Sequence, residues 1–88
     1  MAESKFMQVM SSLGYKLEEQ ENFKLTYKKN AKYSTLVLVI DLELKYIDPI
    51  LVPMSIVIYE KDLTNMLVEF LEMRKDAKII ADIIAATR

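Results

Sequence analysis

Few residues in this chain can do chemistry, and their spacing limits what that chemistry is. Asp41 and Glu43 stand two apart in a run of alternating apolar residues, so on an extended strand they project from one face. Paired carboxylates suit a hard cation or acid–base work, but catalysis needs burial to push their pKa values apart. Lys45 continues the same row on what reads as an open face, so no catalytic residue and no metal site is assigned. The 88 residues contain no Cys and no His, which removes thiol chemistry, disulfides, the commonest general base and the commonest zinc ligand. A single glycine leaves no phosphate-cradling loop. The expectation is a non-enzymatic protein without a cofactor.

Three clusters point to binding instead. Lys24, Lys28, Lys29 and Lys32 lie close in sequence to Tyr27 and Tyr33, and basic side chains interleaved with aromatics hold phosphates and stack on bases. Against a nucleic-acid role, the formal charge is −1, so no global field attracts a polyanion. The second cluster is Val37, Val39, Val57 and Tyr59, with Tyr33 at its rim. These fall on strand positions that should face solvent, and contiguous apolar surface of this kind marks a partner-binding site. The third is Ile79, Ile80, Ile83 and Ile84, where only Asp82 supplies a polar side. A helix apolar nearly all round is buried nearly all round. The occupant expected is the same helix of a second copy about a two-fold axis; the alternative is Phe6, Val9, Met10 and Leu13 of the same chain.

The elements that position these residues follow from hydrophobic period. Phe6, Val9, Met10 and Leu13 stack on one face of a helix over 3–13, capped by Ser4 and ended by Gly14. Alternation then predicts strands at 15–19, 23–29, 33–47 and 52–59, with turns at 20–22, 29–32 and Asp48–Ile50. A two-residue loop at Asn30-Ala31 pairs Leu25 with Leu36 and Phe23 with Leu38. A three-residue loop at Asp48–Ile50 pairs Ile40 with Ile58 and Leu42 with Ile56. From Asp62 the period returns to 3.6: Leu63, Met66, Phe70, Met73, Ala77, Ile80 and Ile84 form one seam, on a helix that either runs to Ala86 or breaks near Lys75-Asp76.

The fold class is therefore α+β: a four-stranded antiparallel meander in order 1-2-3-4, with an N-terminal and a long C-terminal helix on one face. Its core face is expected to carry Leu17, Phe23, Leu25, Leu36, Leu38, Ile40, Leu42, Leu44, Ile56 and Ile58. Residues 1–88 read as one domain. The longest uncharged stretch, Pro49 to Tyr59, is eleven residues, short of the ~20 that span a bilayer. With no export signal and no cysteine framework, the cytoplasm is the expected compartment. The functional expectation is a small regulator or inhibitor that binds an unidentified protein as a homodimer, with nucleic acid as the alternative and no membrane or metal involved.

Overall fold

A computed structural model describes residues 5–86; Ser4, expected as the first helix's cap, lies outside them. The elements are α1 (Lys5–Ser12), β1 (Lys16–Glu21), β2 (Lys24–Asn30), β3 (Ser34–Asp41), β4 (Tyr46–Pro53) and α2 (Glu60–Ala86). The strands form one antiparallel sheet in the order β1-β2-β3-β4, so the α+β meander is as expected. Gly14, at φ 93°, closes α1: its N–H donates to the Ser11 carbonyl, and the Tyr15 N–H reaches back to that of Met10. This paired closure seats Tyr15 against Met10, and both are buried.

Besides a β1–β2 turn at Asn22-Phe23 rather than 20–22, which sets Glu21 and not Glu18 opposite Lys24, register differs from expectation in two places. The β2–β3 loop is Lys32-Tyr33, closed by the Ala31 N–H donating to the Ser34 carbonyl at 2.8 Å, so Leu25 pairs with Ile40 and Tyr27 with Leu38. The slip from the expected pairing is four residues. An even slip leaves every side chain on its face, and Leu25, Leu36, Leu38 and Ile40 are buried as expected.

The second difference moves more. The third strand ends at Asp41 rather than Ile47, because the Asp41 carboxylate accepts the N–H groups of Glu43 (3.0 Å) and Leu44 (2.8 Å) and winds the chain into a turn. Lys45 completes that turn at φ 57°. β4 consequently begins at Tyr46, pairs Ile47 with Ile40, and is finished by Pro53. Pro49, expected in a turn, is inside the strand. Residues 54–59, expected as a strand, are a loop. Leu42, Leu44, Ile56 and Ile58 therefore leave the expected core and are exposed, as are Leu17 beside the bulge in β1 and Phe23 in the β1–β2 turn.

Both sheet edges are blunted. The bonded pairs Ala31–Ser34 and Tyr33–Met54 fix which residues of β4 bond to β3: the even-numbered ones. Ile47, Pro49, Leu51 and Pro53 turn their backbone nitrogens outward, and two of those four carry no hydrogen. β1 on the other edge is interrupted by a bulge and carries Lys16, Glu18, Glu19 and Glu21.

α2 is continuous over 27 residues, about 40 Å, against a sheet roughly 14–19 Å across. Asp76 does not break it. Its carboxylate instead accepts the Tyr15 hydroxyl at 3.1 Å, tying α2 to the connection between α1 and β1. The helix packs on β3 and β4 and against α1, burying Met66, Met73, Ala77, Ile80 and Ile84. Among the described residues no helix is long and apolar enough to cross a membrane.

Candidate interaction surface

The cross-strand register places the outer sheet face in rows. Glu21, Lys24, Asp41 and Tyr46 lie side by side; next come Glu19, Thr26, Val39 and Asp48; then Lys16, Lys28, Val37 and Ile50; and last Asn30, Thr35 and Val52. Val37, Val39, Ile50 and Val52 thus form one apolar block on β3 and β4, bounded by Lys16 and Lys28 on one side and Asp48 on another. Val37 is covered by its neighbours, whereas Ile50 and Val52 are exposed. β-Branched residues at these positions fit the pleat, and the solvent-facing part of the block is Ile50 and Val52 with half-buried Val39 beside them.

Val37 and Val39 of the expected patch are on this face; Val57 and Tyr59 are not. They lie in the loop after β4, exposed, with Lys61 over the Tyr59 ring. Tyr33 is also off the sheet face. It sits in the β2–β3 turn, where it lines a shallow cavity of about 140 Å³ with Pro53, Met54, Val57, Ile58 and Met66. The end of β4 at Pro53 causes this division, and Ile50 and Val52 take the places expected for Val57 and Tyr59. Sequence reasoning missed them because it put Ile50 in the Asp48–Ile50 turn and started the fourth strand, at Val52, six residues late; the local signal was the Asp41 turn.

The four C-terminal isoleucines divide as well. Ile80 and Ile84 are buried within the chain's own core cluster with Met10, Ile83 is half-buried, and Ile79 is exposed. The self-association surface expected from all four is therefore largely consumed by α1, the alternative noted from sequence. A different apolar row is exposed on α2: Leu63, Leu67 and Leu71, with Phe70 half-buried beside it.

The lysines do not converge. Lys24 and Lys28 are on the outer face, Lys29 lies over the Tyr15 ring at 5.4 Å, and Lys32 over the Tyr33 ring at 5.6 Å. Asp41 and Glu43 do not share a strand face as expected, because β3 ends at Asp41 and Glu43 lies in the turn that the Asp41 carboxylate winds. No group of three or more acidic residues among those described is arranged to hold a metal.

The polar groups that are buried serve the architecture. Glu69 accepts the Tyr33 N–H at 3.0 Å and the Ser34 hydroxyl at 2.6 Å, locking the β2–β3 turn to α2. Burial, followed by the Asp76 and Glu72 carboxylates, pushes the Tyr15 hydroxyl well above the ordinary tyrosine pKa. Comparison with protein-family models, curated proteins and solved structures returns no match for this chain.

Proposed function

We propose that this protein is a non-enzymatic interaction module of the regulator or inhibitor type, acting in the cytoplasm by covering an apolar surface of another protein with the outer face of its sheet. The observation that carries this reading is the apolar block around Val37, made of half-buried Val39 and exposed Ile50 and Val52, on a sheet face that no helix among the described residues covers. Lys16 and Lys28 border it on one side and Asp48 on another, so the partner chemistry that fits is an apolar patch with carboxylates at one margin and a basic group at the other. Backbone addition at a sheet edge is disfavoured, since Pro49 and Pro53 remove edge donors.

The test compares proteins cross-linked to the wild type with those cross-linked to Val39→Lys and Val52→Lys, after circular dichroism shows unchanged folding. Loss of one specific protein from both variants supports the reading; an identical set overturns it. Binding of labelled single-stranded DNA or RNA that falls steeply between 50 and 200 mM salt and vanishes in Lys24→Glu/Lys28→Glu would replace it with the nucleic-acid alternative.

A further inference from the structure

The exposed row on α2 has an internal symmetry. Leu63, Leu67 and Leu71 are four residues apart and drift only about 40° per step, so they form one ridge. Glu60 stands seven residues before Leu67 and Arg74 seven after it; seven residues are nearly two turns, which brings both charges onto the same ridge. Among the described residues neither Glu60 nor Arg74 makes an ion pair within the chain. The ridge faces away from Glu69, Glu72 and Asp76, the flank directed to the β2–β3 turn and Tyr15.

From this arrangement we infer that the protein is a homodimer in which α2 packs antiparallel on α2 of a second copy, with Leu67 on the two-fold axis. About that axis Leu63 meets Leu71 of the other copy, and Glu60 meets its Arg74, twice over. An isologous interface requires this self-complementarity, in which residue i meets j and j meets i. Parallel pairing would set Glu60 against Glu60 and Arg74 against Arg74, so the charges select the antiparallel arrangement.

The surface area agrees. A folded monomer of 10.2 kDa exposes about 5,300 Å², whereas this chain exposes 6474 Å². The excess of roughly 1,200 Å² exceeds the ~800 Å² that each partner gives to a standard interface. The radius of gyration, 13.8 Å, is likewise above the ~12 Å of a compact chain of this length. The self-association surface expected from sequence at Ile79, Ile80, Ile83 and Ile84 thus moves to the other half of α2. The inference does not depend on the sheet-face reading.

Sedimentation equilibrium from 1 to 100 μM tests it. The wild type should be dimeric in the upper part of that range. Leu67→Lys places two like charges on the axis and should weaken association at least ~100-fold, with an unchanged circular dichroism spectrum because Leu67 is exposed. Glu60→Arg or Arg74→Glu alone should weaken it about 10-fold, and the two together should restore it. With no native cysteine, Leu67→Cys should oxidise to a symmetric disulfide, and Leu63→Cys should cross-link to Leu71→Cys rather than to itself. A wild type that stays monomeric at 100 μM overturns the inference, as does Leu63→Cys self-cross-linking as readily as Leu67→Cys. Val39→Lys and Val52→Lys should leave the dimer intact, so failure here and failure of the sheet-face reading are separable.

Discussion

Glu69→Ala is the most informative single perturbation of the fold. The carboxylate is buried on α2 and receives two hydrogen bonds, at 3.0 Å from the Tyr33 N–H and 2.6 Å from the Ser34 hydroxyl, and Ser34 is fully buried. Hydrogen bonds to a charged acceptor contribute about 1.5–3 kcal/mol each, and truncation strands both donors. Relief of the buried charge offsets part of this, leaving a net loss of about 2–4 kcal/mol. For a domain of this size that lowers the melting temperature by on the order of 10–25 °C. Ser34→Ala removes one bond and should cost about 1–2 kcal/mol. In Glu69→Gln the amide nitrogen meets a donor, so its cost should fall between these two. Urea denaturation at fixed protein concentration measures all three, and the double variant Ser34→Ala/Glu69→Ala should show a coupling of about 1–2 kcal/mol. A Glu69→Ala variant within about 0.5 kcal/mol of the wild type, or strict additivity in the cycle, would show that these contacts do not hold the turn to the helix.

Two further outcomes follow from the buried polar groups. Because the Tyr15 pKa is raised in the folded state above its usual 10.0, the unfolded chain loses its proton first as pH rises. The stability that this proton supports is complete below about pH 10 and falls above it by up to ~1.4 kcal/mol per pH unit; Tyr15→Phe should flatten the alkaline limb of a stability–pH curve. Asp41→Ala removes the acceptor for the Glu43 and Leu44 N–H groups and should cost about 1–2 kcal/mol, with hydrogen exchange at those two amides accelerating before exchange in the core of β3.

What could be read from the sequence divides along a physical line. Side-chain parity was legible: Leu25, Leu36, Leu38 and Ile40 face inward, and Val37 and Val39 outward, because alternation survives an even slip in register. The seam of α2 was legible except at its start: Met66, Met73, Ala77, Ile80 and Ile84 are buried and Phe70 is half-buried, but Leu63, expected in the seam, is exposed. Strand ends were not. Leu42 and Leu44 continue the alternation beyond Asp41, so periodicity alone cannot see that one carboxylate captures two amides and stops the strand. Pro49 misled in the opposite direction: it resembles a turn residue, yet an edge strand accepts it where its nitrogen points to solvent. Moving that one turn shifted half the expected binding patch from Val57 and Tyr59 to Ile50 and Val52.

The same geometry explains why α2 has apolar surface left over. A helix on a single sheet buries one stripe of about 100°. Here the seam through Met66, Met73 and Ile80 meets β3, β4 and α1, and the Glu69–Asp76 flank is tied to the turn and to Tyr15. Leu63, Leu67 and Leu71 lie about a third of a turn further round, beyond the reach of any layer among the described residues. Adding a layer would need either a third helix, which residues 5–86 do not contain, or a helix from another molecule. Strand addition cannot cover that ridge, and the proline-bearing edge of β4 discourages it. In the proposed dimer a second copy of α2 would cover it with side chains of matching charge, which favours the helix flank over the sheet edge for self-association.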